Sequence, residues 1–232
     1  MLYVFKACRH LTEAGAFKLL YQCCVQGNDR AMDNTITLEK IRKSQILEAT
    51  LRKIAAVGIQ NITMDDIAAE AGLSKGGIAH YFSSKDLLIK ETFREFFSAI
   101  FMRGKATMEQ CADPIDKVLS FAWLYNWEDP LVNLGYPMLF DAMSMAGHDT
   151  DYRSLLHEWF DGWIELLGGA VEEGVASGAF PVTDIQGTAR AISAIYQGVA
   201  TRWYLDKDAH STEWAVSYAR KAISSLVNGS KK

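Results

Sequence analysis

Lys75, His80, Tyr81 and Lys85 crowd two ammonium groups, an imidazole and a phenol into one short stretch, behind the hydroxyls of Thr63 and Ser74. Two residues without side chains, Gly76 and Gly77, lie among them. Such groups suit contact with a polyanion. Thr63, Tyr81 and Lys85 are the types that hold phosphate oxygens, while Lys75 and His80 are long enough and polar enough to reach acceptors on base edges. The glycines would let the backbone itself come close. The chemistry implied is recognition of duplex DNA.

The elements that must position these groups are written in the surrounding caps. Thr63 followed by Asp66 reads as a capping-box-like start, and Ile67, Ala68 and Ala71 then share one helical face. Gly72 supplies the left-handed position that stops this helix. Leu73 plugs the turn, Ser74 caps a second helix, and Ile78 and Phe82, one turn apart, pin it inward. Ser84 begins a third, whose free N–H groups beside Lys85 favour an anion. That spacing is a helix-turn-helix. A helical corner with no role on DNA is the competing explanation.

The runs Ser74-Lys75-Gly76, His80-Tyr81-Phe82 and Ser84-Lys85-Asp86-Leu87-Leu88 resemble the N-terminal domain of the tetracycline-repressor (TetR) family over roughly residues 40 to 100. The stretch Gly76 to Phe82 is most similar to the BetI-like branch. Gly77 and Ala79 stand where many members carry a hydroxyl and an aromatic. The resemblance implies an all-α fold, with an N-terminal three-helix helix-turn-helix domain and a larger C-terminal helical domain for ligand binding and dimerisation. It also implies a homodimer on a palindromic operator, released by a small-molecule effector.

Charge is distributed to match. The chain carries a net −4, yet residues 39–105 hold 11 Lys and Arg against 8 Asp and Glu, a local +3, and residues 106–232 hold −8. Arg42, with Lys40 and Lys43, precedes the reading helices and is placed to meet phosphate. A solvated helix start is the plain alternative. No apolar run is long enough to span a bilayer and the first residues lack a signal-peptide order, so a cytoplasmic location without membrane attachment is expected.

Three segments follow. Residues 1–38 form an N-terminal extension, either without a fixed fold or lying upstream of a true start at Met32. Residues 39–99 form the DNA-binding domain, and 100–232 the effector-binding and dimerisation domain. Cys8, His10, Cys23 and Cys24 match no strong zinc spacing, so free thiols are expected. The first helix runs from Glu39 to Gly58 on Ile46, Leu47, Thr50, Leu51, Ile54 and Val57. A fourth runs from Ser84 through Leu87, Leu88, Phe93, Phe96, Phe97, Ile100 and Phe101 until Gly104 loosens it. Asp113-Pro114 opens a helix through Tyr125, Asp129-Pro130 another that bends near Pro137, Thr150 a third, Thr183 with Gln186 a fourth, and Ser211 or Thr212 the last.

Gly187, Ala191, Ala194 and Gly198 repeat at helical spacing and admit a second helix at close range. With Tyr218 and Ala222 on the last helix, the family resemblance assigns them to the dimer interface; packing within one subunit is the alternative. Most of the large aromatics downstream belong to the core. Trp123, Trp127, Tyr136, Phe140, Trp159, Trp163 and Tyr196 are the candidates for an effector site, and indoles near carboxylates suit a cationic or amphipathic ligand. His148, Asp149, Asp151 and His157 raise a metal-dependent hydrolase as a rival, but no nucleophile, phosphate loop or paired acid accompanies them. No catalytic residue, metal or cofactor is expected. A purely structural helical protein is the other alternative.

Overall fold

A computed structural model describes residues 34–229. Cys8, His10, Cys23, Cys24 and Met32, and with them the readings of an N-terminal extension and an internal start, lie outside the described residues. Those described form nine α-helices and no strand. In chain order they are α1 Asn34–Val57, α2 Met64–Ala71, α3 Lys75–Ala79, α4 Lys85–Met108, α5 Pro114–Val118, α6 Pro130–Ala146, α7 Thr150–Ala176, α8 Ile185–Leu205 and α9 Thr212–Val227. Short 3-10 turns occupy Ile59–Asn61 and Ser120–Tyr125.

The chain divides into two compact units. The first joins residues up to Ala99 with Asn133–Leu156, and the second joins Ile100–Val132 with His157–Lys232. Residues 133–156, which a contiguous division gives to the C-terminal domain, therefore cluster with the first unit.

Within the first unit, α1 buries Ile46, Leu47, Leu51 and Ile54, and α4 buries Leu88, Phe93, Phe96 and Phe97. Each fully buried apolar side chain contributes about 1.5 to 3 kcal/mol, so these stripes hold the unit together. Val57 and Leu87, expected on the same stripes, are 48% and 39% exposed, because helical drift carries them past the buried edge. Helix α1 begins at Asn34, earlier than the apolar period suggests. Arg52 ties it to α2 through Glu48 at 2.8 Å and Glu70 at 2.9 Å. The Arg52 guanidinium, with Lys53 beside it, holds the Glu70 carboxyl below its ordinary range.

The same unit contains one strongly charged junction. Lys90 Nζ lies 2.8 Å from Asp86, 2.8 Å from Asp151 and 3.5 Å from Asp149, with its side chain only 10% exposed. Those hydrogen bonds push its pKa up despite burial. The ammonium also lies 5.2 Å from the centre of the Tyr152 ring. Ile59 N–H donates to the Asp141 carboxylate at 3.2 Å, joining the turn after α1 to α6.

In the second unit, Trp163 anchors an aromatic cluster. Its ring meets Phe121 at 5.2 Å and Phe101 at 5.5 Å, both edge-on. A Cβ on Gly104 would collide with that indole. Helix α4 accordingly does not loosen at Gly104 but runs unbroken to Met108, the glycine being a place for Trp163. The helix expected from Pro114 to Tyr125 ends at Val118 and resumes as a 3-10 turn, with Phe121 outside helical geometry. Two cap assignments also shift. Asp184, not Thr183, caps α8 by accepting from Gly187 N–H at 2.8 Å, and Asp149, not Thr150, accepts from Asp151 N–H at the start of α7. A carboxylate at either position reaches the free N–H groups that the hydroxyl was expected to satisfy. Helix α6 accommodates Pro137 in its interior.

Candidate nucleic-acid interface

The head of the first unit is built by local chemistry. Thr63 Oγ accepts from Asp66 N–H at 3.1 Å, and the Asp66 carboxylate accepts in return from Thr63 N–H at 2.9 Å and from its hydroxyl at 2.6 Å. These bonds to Thr63 hold the Asp66 carboxyl below its ordinary range. Gly72 closes α2 at φ 64°, a left-handed geometry that favours glycine. Ser74 Oγ accepts from Gly77 N–H at 3.0 Å and starts α3. Ile78 is fully buried and Phe82 is 5% exposed. Ser84 Oγ accepts from Leu87 N–H at 3.1 Å at the head of α4.

Anchored in this way, α3 leaves Ser74, Lys75, Gly76, Ala79 and His80 exposed, with Gly77, Tyr81 and Lys85 half-buried beside them. His80 stands edge-on to Tyr81, ring centres 5.0 Å apart. Neither glycine is demanded by the backbone. An added Cβ would meet nothing nearer than Ser74 Oγ, at 3.9 Å from position 76 and 3.3 Å from position 77. Glycine costs a helix roughly 0.8 to 1 kcal/mol relative to alanine, so the bare, exposed position 76 fits close approach to a ligand better than folding, whereas a Cβ at position 77 would crowd the capping Ser74 hydroxyl.

Three of the expected contact residues already have work inside the head. The Thr63 hydroxyl is taken up as both donor and acceptor in its capping box. Arg42 donates to the Gln45 side-chain oxygen at 3.0 Å. Lys75 Nζ rests 2.9 Å from Asp65, both side chains well exposed. Asp65 is the partner of Lys75 that sequence reasoning passed over. An acid in the first turn of α2 suits the helix dipole and needs no other reason, whereas its pairing with Lys75 crosses the turn.

The aromatic candidates for an effector divide between the units. Tyr136 and Phe140 lie in the first, ring centres 6.4 Å apart. The other five lie in the second. There Trp159 packs against Trp163 at 6.2 Å, and Tyr196 packs on Phe121 and donates its hydroxyl to Val118 O at 2.8 Å. Burial pushes the phenols of Tyr136 and Tyr196 up. Tyr196 also lines a small surface cleft, with room for about one water, together with Leu119, Tyr125 and Arg220. Two indole faces already carry cations from the chain itself. Arg103, paired with Asp129 at 2.6 Å, lies 4.1 Å over Trp123, and Lys207 lies 3.5 Å over Trp127. The Trp127 ring stacks in turn on Trp203 at 4.1 Å. The carboxylates once grouped with His148 as a rival metal cluster, Asp149 and Asp151, are directed to Lys90.

On α8, Ile192, Tyr196 and Trp203 are buried, while Ala194 and Gly198 are exposed and Gly187 and Ala191 half-exposed. Helices α8 and α9 pack together, and Tyr218 and Ala222 remain exposed on α9. A Cβ on Gly198 would meet open space, whereas one on Gly187 would strike the capping Asp184.

The model for "Bacterial regulatory proteins, tetR family" matches residues 46–92, and that for "BetI-type transcriptional repressor, C-terminal" matches residues 137–228. The KstR2 transcriptional repressor of Mycolicibacterium smegmatis is 25% identical over 70% of this chain and 79% of its own length. A BetI regulator of Burkholderia thailandensis is 39% identical over 52% of this chain, a match that spans 62% of the BetI protein. A transcriptional regulator from Saccharomonospora viridis, solved in complex with choline, superposes with a TM-score of 0.71 at 23% identity, covering 78% of this chain and 95% of its own. No helix among the described residues is long and apolar enough to cross a membrane. Matched at its DNA-reading head and along its C-terminal helices alike, the chain belongs to the TetR family of transcriptional regulators and is no enzyme.

Proposed function

We propose that this protein is a repressor that binds a palindromic operator as a homodimer and lets go when a small cationic or amphipathic effector binds its C-terminal domain. The observation that carries the DNA reading is α3, pinned by buried Ile78 and Phe82 while Lys75, Gly76 and His80 are presented outward. Lys75 and His80 read base edges, and Arg42, Tyr81 and Lys85 hold phosphates.

Dimerisation is supported by the exposed small residues of α8 beside Tyr218 and Ala222. It has a functional warrant, because two α3 helices held roughly 34 to 36 Å apart read successive turns of one face of the duplex. A cationic effector is supported by the choline bound to the related S. viridis regulator, and to use the indole faces of Trp123 or Trp127 it displaces Arg103 or Lys207. Helix α4 carries residues of both units and is the natural carrier of the signal. Release requires only that the effector favour the non-binding shape by about 1 to 3 kcal/mol.

The test is selection of fragments from the source genome on the purified protein, repeated with choline and other quaternary amines. A recurring palindrome, depleted when an amine is added, is the expected result. Recovery of random fragments, with binding that depends on salt alone, would refute operator recognition.

A further inference from the structure

Trp123 lies on the 3-10 turn that follows α5, in the second unit together with Arg103 and Asp129. The guanidinium carbon of Arg103 stands 4.1 Å from the centre of the indole, and one of its N–H groups donates to the Asp129 carboxylate at 2.6 Å. Asp129 is only 12% exposed, whereas Arg103 reaches water with 28% of its side chain. The other Asp129 oxygen accepts from Leu131 N–H at 3.0 Å, which fixes the carboxylate at the head of α6. Beside this pair, the Trp123 Nε1–H is closed off from solvent and meets no acceptor among the described residues. Buried donors are seldom left so, because losing the hydrogen bonds of water without replacement is costly. Arg103 cannot supply the missing acceptor, since a guanidinium only donates.

We propose that Arg103 is a built-in occupant of an effector subsite formed by the Trp123 face, its Nε1–H and Asp129, and that the effector is a small cation that also carries an acceptor oxygen. This rests on the effector reading above and gives it residues and a ligand class. Arg103 meets two requirements of the subsite, since its charge lies on the indole face and neutralises Asp129. A ligand that expels it must itself be cationic, because a carboxylate as enclosed as Asp129 is costly to leave without a counter-charge. A hydroxyl or carbonyl oxygen on that ligand accepts from Nε1–H and makes the bond that Arg103 cannot. The exchange thus favours an oxygen-bearing cation over the side chain it displaces, and the partial exposure of Arg103 gives the guanidinium water to move into. Arg103 belongs to α4, so its expulsion acts on the helix that begins at Lys85.

Choline, which has a hydroxyl, and ethyltrimethylammonium, which lacks it, are titrated by calorimetry into the parent, Arg103→Met and Trp123→Phe, each as the full chain with its helical content checked by circular dichroism. Arg103→Met should bind both probes about three- to tenfold tighter than the parent, as the internal competitor is gone, and should gain more in thermal midpoint from either probe. The parent should prefer choline about three- to tenfold, and Trp123→Phe should lose that preference. Site-specific replacement of Trp123 by benzothienylalanine, which keeps both rings and puts sulfur in place of the N–H, should lose it as well. Equal affinities in the parent and Arg103→Met, a choline preference that survives both replacements at position 123, or no binding of either probe would overturn the proposal. Release of a selected operator fragment by choline, with all four proteins responding alike, would overturn it too and leave the effector reading standing. Binding with the expected preferences but without release from DNA would instead overturn the effector reading.

Discussion

Lys75 and His80 are exposed and supported from behind by buried Ile78 and Phe82, so they are separable from the fold. A Lys75→Ala, His80→Ala variant should keep its thermal midpoint within a degree or two yet lose at least about tenfold in affinity for a selected fragment, since a good base contact contributes about 1 to 3 kcal/mol. Gel shift and calorimetry on the same preparation check both halves. Gly104 poses the opposite case. A methyl there meets the Trp163 indole, so Gly104→Ala should destabilise the protein by about 1 to 3 kcal/mol in denaturant unfolding despite its better helix propensity. Sequence reading took that glycine for a weak point in the helix because the partner that explains it lies far along the chain. The base-reading candidates were legible because their exposure follows from the period of Ile78 and Phe82 within one short helix. Asp65 was not, since its contact is made across a turn.

At the scale of elements, the signals read correctly were those that act within a few residues. Thr63 with Asp66, Gly72 and Ser74 each satisfy backbone groups on their own turn, and no distant packing overrides them. The break at Phe121 was invisible because its ring is drawn between Trp163 and Tyr196, which only the fold brings near. The capping box makes a testable link to pH. The Asp66 carboxyl is held below its ordinary value, so its contribution is present above that value, near pH 4, and disappears as pH falls through the lower folded-state value. Asp66→Asn should therefore flatten the acid limb of the stability profile, measured by urea unfolding between about pH 5 and 2. Lys90, which gathers Asp86, Asp149 and Asp151, was equally hidden, its partner Asp151 lying 61 residues away. Lys90→Met should destabilise the first unit by about 2 kcal/mol, because three carboxylates lose a charged donor. Hydrogen exchange in α4 and at the start of α7 would report the loss.

For the whole molecule, the exposed stripe of α8 carries the proposed assembly. Open space beyond Gly198 means that a long charged side chain there fits the single chain without collision. Gly198→Arg should leave the helical content intact, convert a dimer to a monomer in light scattering, and weaken operator binding steeply as the second half-site is lost. A variant that stayed dimeric would move the interface elsewhere.

The first unit is stitched from two separate stretches of chain, with Asp141 and Asp151 reaching back to Ile59 and Lys90. A gene fragment ending near residue 99 would lack those returning contacts, and its α4 would be cut in mid-helix. A head excised at that point should therefore unfold more readily than the full chain. Anyone transplanting its specificity onto another regulator should graft the surface of α3 rather than splice the polypeptide.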